Sequence, residues 1–371
     1  MMNGAFTGKG VIYLDNAASA KPSEKAVEAM MDALGYYGNP SSLHSEGQAA
    51  KRIVVTAEEK IKRKINASDG DRLVFTSGAT MSNSVFIQGW LRRNPGGWLV
   101  ISAIEHNDIM MLAGYMKEHG RQVAEIGVDS RGEIDMQALD AACRQARDGG
   151  RPFLCSVQAA NGECGVIQDI RAISRAVHAN GGLLHSDMTQ YLPYYAVDMS
   201  CGIIDAFSMS GQKIGAAKGT GLLYIKGGIE IDPVIFGEQG IVGGTENVPG
   251  IACLSAAFEE LDYENKSLRD KQARLIDGLA PYGRLVGSMH RLPSNVYWAF
   301  DRHGFGSLVV LLDGFGIEVS SGSACASGRP SHVAAAMGYD AESCIRFSLS
   351  RSTSDEDIEQ TIRTIREIMT L

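Results

Sequence analysis

The chain has 371 residues, of which 44% are hydrophobic and 21% charged, and its formal net charge is −8. This composition is typical of a globular protein with one large and one small domain, or with two comparable domains. It excludes the basic clusters that bind nucleic acid, and no window approaches the roughly 18 apolar residues of a transmembrane helix. The seven cysteines show no C-x-x-C spacing, which argues against a disulfide framework and a zinc site. We therefore expect no bound metal. Because residues 1–10 lack a signal-peptide profile, we also expect the protein to be cytoplasmic.

Strand and helix patterns alternate through the first two thirds of the chain. Short β-rich runs occur at 72–75, 98–102, 153–157, 183–186, 206–208 and 221–225. Helical periodicity marks the segments 81–91, 135–146 and 169–179. This alternation predicts an α/β fold with a mostly parallel sheet covered by helices.

The pattern changes after about residue 250. We predict one long helix over 248–279, followed by widely spaced strands at 294–299 and 345–349. The last predicted element is an amphipathic helix over 355–369, which Thr353 or Ser354 can cap.

We therefore predict a large domain over residues 16–250 and a smaller α+β domain formed by residues 1–15 with 251–371. In folds of this kind, ligands bind at the carboxyl ends of the strands. The residues that follow each predicted strand are therefore the candidates for a functional site.

The first two candidates follow the first two predicted strands. The turn 76–80 leads into a helix, whose N-terminal N–H groups and dipole favour a phosphate, although an ordinary N-cap explains the same pattern. His106 offers a ring that can stack on a heterocycle or an acid–base group; a structural or merely exposed histidine is the alternative.

The next candidates are an acid and a lysine. Asp187, at a strand end beside the core, is costly to ionise unless a cation such as a protonated pyridine nitrogen pairs with it. Lys213 follows a buried strand among small residues, where a desolvated amine can bind an aldehyde; an exposed loop lysine is the alternative. The turn, the ring, the acid and the lysine occur in the order that a pyridoxal-phosphate site requires.

These residues resemble the class V aminotransferase-like enzymes of fold type I, and within them the cysteine desulfurases of the NifS and IscS kind. The resemblance extends from residues 13–18 to residues 345–349, and its most specific segment is Ser-Ser-Gly-Ser-Ala-Cys at 320–325. Further segments similar to the family are 38–44, 75–80 and 244–247.

The resemblance implies a role for each matching residue. Lys213 would bind pyridoxal phosphate covalently, Asp187 would pair with its ring nitrogen, and His106 would stack on its ring. Ala79, Thr80 and Ser210 would hold the phosphate, Gln190 would lie near the phenolic oxygen, and Thr245 would reach the phosphate of the partner subunit in a homodimer. Two residues that do not match the family are further candidates: Gln212 at the phosphate and Asn161, as a substitute, near the phenolic oxygen. The large domain would thus bind the cofactor, and the small domain would carry the loop that contains Cys325.

The implied reaction converts L-cysteine into L-alanine. Arg346, with Asn39 nearby, would bind the substrate, and Cys325 would attack its sulfur and leave as a persulfide. The sulfur would pass to an acceptor protein that the sequence does not identify, for example an iron–sulfur cluster assembly scaffold. The alternatives are a selenocysteine lyase or other pyridoxal-phosphate lyase, and a catalytically weakened homologue that carries or binds sulfur.

Four features depart from the family pattern. Gln212 stands where the family has a histidine, Gly162 where it has an asparagine, and Val242 where it has an arginine. The loop 326–330 is about two residues shorter than in close relatives. A glutamine can bind a phosphate but cannot transfer protons, so that duty would pass to His106 or Lys213.

Overall fold

The computed structural model describes residues 10–237, 240–301, 306–322 and 330–370. The strands are β1 (Ile12–Tyr13), β2 (Arg72–Thr76), β3 (Trp98–Ser102), β4 (Gln122–Ile126), β5 (Phe153–Ser156), β6 (Leu183–Asp187), β7 (Ala206–Ser210), β8 (Gly221–Ile225), β9 (Gly283–Leu285), β10 (Asn295–Phe300), β11 (Ile317–Glu318) and β12 (Cys344–Ser348). The helices are α1 (Glu24–Ala33), α2 (Ser45–Lys64), α3 (Ala79–Arg93), α4 (Asn107–Glu118), α5 (Met136–Asp148), α6 (Ile170–Ala179), α7 (Val248–Glu259), α8 (Lys266–Leu279), α9 (Gly306–Gly314), α10 (His332–Ala336) and α11 (Asp355–Thr370).

The described residues form one large sheet and two smaller ones. The large sheet has seven strands in the order β2-β8-β7-β6-β5-β3-β4. Strand β8 is antiparallel to both of its neighbours, and the other pairs are parallel. The antiparallel sheet β12-β10-β9 and the parallel pair β1-β11 belong to the smaller α+β part. The predicted α/β fold with a mostly parallel sheet covered by helices is therefore confirmed.

Hydrophobic cores cover both faces of the large sheet, and a third core lies in the smaller part. Helix α7 contributes Leu254 and Phe258 to one sheet core, and α3 contributes Phe86 to the other. The third core joins both regions of the chain, because Leu14 packs there with Phe347. The proposed domain division at residue 250 stays a prediction, and we propose that it be moved beyond α7, since that helix packs with the large sheet.

One sequence prediction about elements is wrong, and one strand of the large sheet was missed. The single helix over 248–279 is two helices, α7 and α8, because side chains between them bind backbone groups. Asp262 accepts the N–H of Glu264 at 3.0 Å, and Glu264 accepts the N–H of Lys266 at 2.8 Å. Strand β4 was not predicted, because it lies at the sheet edge and carries Gln122 and Glu125.

The cap of the last helix is Ser354. Its hydroxyl accepts the N–H of Asp357 at 3.1 Å, and the Asp357 carboxylate accepts the N–H of Ser354 at 2.7 Å. Thr353 instead accepts the N–H of Ser350 at 2.9 Å. The reciprocal pair is a capping box in which an aspartate takes the place of the usual glutamate.

Candidate active site

A cavity of about 160 Å³ opens at the carboxyl ends of the parallel strands. The loops after β3, β5, β6 and β7 contribute to its wall, and β12 contributes from the smaller part. Its lining includes the predicted site residues Ala79, Thr80, His106, Asn161, Asp187, Gln190, Ser210, Gln212, Lys213 and Arg346. The fold thus brings residues from positions 79 to 346 into one cavity.

The start of α3 is built closely around glycine. Gly78 has φ +152°, a value that residues other than glycine rarely adopt, and as a glycine it has no side chain with which to cap the helix. The Ser210 hydroxyl accepts the N–H of Ala79 at 2.8 Å. A small-residue helix start of this kind, with its positive dipole end at the cavity, fits a phosphate group.

Asp187 ends β6 and is buried. It accepts hydrogen bonds from the N–H of Thr189 at 2.9 Å and from Nδ2 of Asn83 at 3.0 Å. Burial, and secondly the charge of Asp108, raise the pKa of the Asp187 carboxyl. A cation in the cavity would stabilise the ionised form, so the site fits a protonated pyridine nitrogen.

Lys213 follows β7 in a short turn, with its amine reaching the N-terminal part of the chain. Nζ donates to the carbonyl oxygens of Ala17 at 2.7 Å and Ala18 at 2.6 Å. The Gln190 side chain donates to the same Ala17 oxygen at 3.0 Å. The amine therefore lies at the cavity wall, where rotation of a flexible side chain can redirect it.

Arg346 lies on β12 and is buried with its guanidinium at the cavity. It forms an ion pair with Asp15 at 2.6 Å and donates to the carbonyl oxygen of Gly162 at 2.9 Å. Within the described ranges, its Nε atom is buried without a hydrogen-bond partner. A planar cation held in this way is suited to a carboxylate ligand.

The side chain of Asn161 forms hydrogen bonds within its own turn and to the backbone of Ile104. Its oxygen accepts the N–H groups of Glu163 at 2.8 Å and Cys164 at 2.9 Å, and its nitrogen donates to the Ile104 oxygen at 2.8 Å. A Cβ atom on Gly162 would lie 3.1 Å from Nε2 of Gln190. The glycine thus lets the turn approach Gln190 closely, while the role of Asn161 toward a cofactor stays a prediction.

Thr245 and Asn39 lie together, away from the cavity lining. The Asn39 amide is 3.5 Å from the Thr245 hydroxyl, and Thr245 lines a separate surface groove with Gly244 and Ser77. Cys325, the predicted nucleophile, lies outside the described residues. The roles of these three residues therefore stay predictions.

Sequence reasoning missed several ionisable residues that line the cavity. Glu105 is fully buried, and burial raises the pKa of its carboxyl to about 8 despite hydrogen bonds from Ser102 and the N–H of Gln158. The imidazole of His332 donates to the Glu105 carbonyl oxygen at 2.9 Å. The position of Glu105 directly before His106 was the available signal, whereas His332 comes from a distant part of the chain.

Glu163 also went unpredicted, and it contacts both sides of the loop that contains Cys325. Its carboxylate accepts from the Ser331 hydroxyl, and a Cβ atom on Gly322 would lie 3.2 Å from the same carboxylate. In sequence, residues 161–165 have the composition of an ordinary turn. The contact of Glu163 with Ser331 depends on a tertiary approach that local sequence does not encode.

Among the residues that the structure describes, no group of three or more His, Cys, Asp or Glu side chains could hold a metal ion. In the same part of the chain, every helix is too short or too polar to cross a membrane.

Comparison with known proteins agrees with this geometry. Residues 12–361 match the family model described as aminotransferase class-V. The cysteine desulfurase IscS 1 of Archaeoglobus fulgidus is 35% identical, over 95% of each chain. The structure of a NifS-like protein from Rickettsia africae has a TM-score of 0.88 at 27% identity, covering 98% of this chain and all of the other. A structure of SspA in complex with cysteine has a TM-score of 0.80 at 28% identity, covering 91% and 98%. With the family model spanning nearly the whole sequence and a cavity built from its matching residues, the chain belongs to the class V aminotransferase family.

Proposed function

We propose that this protein is a pyridoxal-phosphate-dependent cysteine desulfurase, which converts L-cysteine to L-alanine and passes the sulfur on as a persulfide of Cys325. The observation that carries this proposal is the convergence of Lys213, Asp187, His106 and the start of α3 on one cavity. Relatives named as cysteine desulfurases and a similar structure in complex with cysteine support the choice of substrate. A cytoplasmic location and an iron–sulfur cluster assembly scaffold as acceptor remain predictions.

The residues of the cavity fit pyridoxal phosphate at each end. Asp187 would hold the ring nitrogen, the start of α3 with Ser210 would hold the phosphate, and Lys213 would bind the aldehyde. When bound, the cofactor supplies an electron-withdrawing ring that acidifies the Cα–H bond of an amino acid. Asp187 would support this chemistry, because its negative charge would favour the protonated form of the ring nitrogen.

Each remaining residue has a task on the substrate. Arg346 would bind the cysteine carboxylate and fix which bond at Cα faces the catalytic groups. The Lys213 amine would then remove the Cα proton, after leaving the carbonyl oxygens of Ala17 and Ala18. The Cys325 thiolate would attack the substrate sulfur, so that one S–S bond forms as the C–S bond breaks.

A homodimer is part of the proposal, and exposed apolar side chains support it. Five large ones lie in the segment 31–43, which contains Asn39, and Leu43 is 94% exposed. They are Met31, Leu34, Tyr36, Tyr37 and Leu43. Such a concentration is unusual on a monomer. A second copy covering this face would also bring a partner to the groove at Thr245.

The experiment that tests the function combines labelling with product analysis. Borohydride reduction should fix the cofactor to Lys213, so Lys213→Ala should lose the label. Lys218→Ala is the matched control and should keep the label, because Lys218 is an exposed neighbour.

Product analysis distinguishes the possible reactions. L-cysteine should yield alanine and a protein persulfide. Pyruvate with free sulfide would indicate a β-eliminating lyase, and turnover of selenocysteine alone a selenocysteine lyase. A spectral change without any product would indicate a sulfur-binding homologue.

A further inference from the structure

A chain of hydrogen bonds joins His106 to Asp187. Nδ1 of His106 lies 2.7 Å from Oδ1 of Asp108, which is in the first turn of α4. Oδ2 of Asp108 accepts from Nδ2 of Asn83 on α3 at 3.1 Å, and the same Nδ2 donates to Asp187 at 3.0 Å. The imidazole and the proposed partner of the ring nitrogen are thus connected through the side chains of Asp108 and Asn83, of which Asn83 is buried.

The donors and acceptors in this chain follow from the chemistry of its members. A carboxylate only accepts, so Nδ1 of His106 must carry the proton. The backbone nitrogen of Asp108 also approaches the same Nδ1, but at 3.4 Å this contact is much longer than the 2.7 Å contact with the carboxylate. Asn83 faces two carboxylates and must turn its amino group toward both; in the described part of the chain, its Oδ1 is buried without a partner. Leaving that oxygen unpaired is unfavourable, so the two carboxylates impose the orientation.

The pKa values of the two carboxyl groups shift in opposite directions. Burial alone would raise the pKa of Asp108, but the hydrogen bond and charge of His106, together with Asn83 and the N–H of Ile109, hold it below its usual value. The pKa of Asp187 is raised, mainly by burial and secondly by the charge of Asp108. Asp108 is therefore the carboxyl that ionises more readily, and His106 is its partner.

We propose that Asp108 is a positioning residue for His106 and that Asn83 connects this pair to Asp187; this inference rests on the proposed function. Asp108 fixes the imidazole with its proton on Nδ1, so that Nε2 is the nitrogen that gains or loses a proton. Its charge also favours the protonated imidazole. Both effects matter here because Gln212, which also lines the cavity, cannot transfer protons.

Three variants separate the parts of this proposal. Asp108→Asn keeps an oxygen that accepts from Nδ1 and removes the charge, whereas Asp108→Ala removes both. Asp169→Asn is the matched control, because Asp169 is also an aspartate at a helix start that accepts a backbone N–H, at 2.9 Å, but it lies outside the cavity lining.

The primary measurement is nitrogen NMR of the full chain labelled with 15N-histidine, with and without pyridoxal phosphate. The His106 signals are identified by their loss in His106→Gln. The pH titration of His106 is interpreted together with the other ionisable side chains of the same cavity, because their charges also act on the imidazole. These are Glu105, Glu163, Asp187, Lys213, His332 and Arg346. Steady-state kinetics with L-cysteine then give kcat and KM for each variant.

We expect Asp108→Ala to move the neutral His106 imidazole to its Nε2–H tautomer and to lower kcat on the order of tenfold or more, with KM changed less than threefold. Asp108→Asn should keep the Nδ1–H tautomer but lower the midpoint of the His106 titration by about one pH unit. Asp169→Asn should match the wild type in both measurements.

Retention of the Nδ1–H tautomer and of kcat within twofold in Asp108→Ala would overturn the proposal. If Asp108→Ala does not fold, an unchanged midpoint and kcat in Asp108→Asn would overturn it as well. Failure of the proposed function is a separate result: wild-type protein that never binds the cofactor at Lys213 would refute that function, while the NMR comparison would still decide the role of Asp108.

Discussion

At the scale of single residues, two ionisable side chains of the cavity are held by backbone oxygens. The Lys213 amine binds two carbonyl oxygens, and His332 binds the carbonyl oxygen of Glu105. Backbone groups keep their positions when a side chain is replaced. Substitutions of these side chains should therefore report their chemistry more than their structural support.

Cys325→Ser separates the two chemical steps. The variant should bind the cofactor and change its absorption spectrum with L-cysteine, because these events need Lys213 and no thiol. Alanine formation should fall by several orders of magnitude, since a hydroxyl is a far poorer nucleophile toward sulfur than a thiolate. Cys201→Ser is the control, because Cys201 is exposed. Alanine formation that persisted in Cys325→Ser would assign the sulfur transfer to another thiol.

Glu105 predicts a pH dependence of stability. Its pKa rises from 4.5 to about 8 on burial, so between these values the folded protein keeps a proton that the unfolded chain releases. Stability should therefore fall as pH rises through this window. Glu105→Gln lacks the titrating group, so its free energy of unfolding relative to the wild type should rise from about pH 5 to about pH 9, measured by urea unfolding.

Glu118→Gln is the control for this comparison, because Glu118 is an exposed carboxylate at the end of α4. Its stability difference from the wild type should stay constant across the same pH range. A constant difference for Glu105→Gln as well would contradict the buried, protonated carboxyl.

At the scale of elements, the start of α3 carries a prediction about cofactor affinity. A Cβ atom on Gly78 would lie 3.3 Å from the Ser210 hydroxyl, in a backbone conformation that alanine rarely adopts. Gly78→Ala should weaken pyridoxal-phosphate binding by about tenfold or more. Gly120→Ala is the control, because Gly120 also has a positive φ (+76°), but no atom of the described residues lies within 4 Å of its Cβ position. Equal affinity of both variants, by cofactor titration, would argue against a phosphate site at α3.

Elements with a strong apolar pattern were predictable from sequence. Strands β3 and β8 were predicted with their observed bounds, because each is a short, mainly apolar run. Strand β4 was missed because an edge strand with polar side chains lacks that pattern. The division between α7 and α8 depends on hydrogen bonds of Asp262 and Glu264, and hydrophobic periodicity does not register them.

The site was predictable only where its residues directly follow strands. Residues such as Asp187 and Lys213 directly follow strands, so the rule about strand ends locates them. Glu163 and Asp108 do not follow from this rule, because their importance comes from contacts with Ser331 and Asn83 in other elements. Contacts of this kind are tertiary, and one sequence does not encode them locally.

At the scale of the whole molecule, a shared dimer site predicts complementation. In a mixture of Thr245→Ala and Lys213→Ala chains, a heterodimer would place both lesions in one site and neither in the other. Activity should therefore return to about a quarter of the wild type at equal mixing, since half of the dimers are mixed and each has one intact site. No recovery in subunits shown to exchange would mean that each chain builds its own site.

The third hydrophobic core has a consequence for synthesis on the ribosome. Ile12 pairs with Ile317 in a parallel strand pair, and Asp15 forms an ion pair with Arg346. These N-terminal residues therefore contact residues that are synthesised some 300 positions later. At 5–20 residues per second, that interval is roughly 15–60 s. During this time the seven strands of the large sheet can assemble, but the wall of the cavity that contains Arg346 does not yet exist. The strands that are proposed to bind the cofactor are therefore synthesised before Arg346, the residue that is proposed to bind the substrate carboxylate.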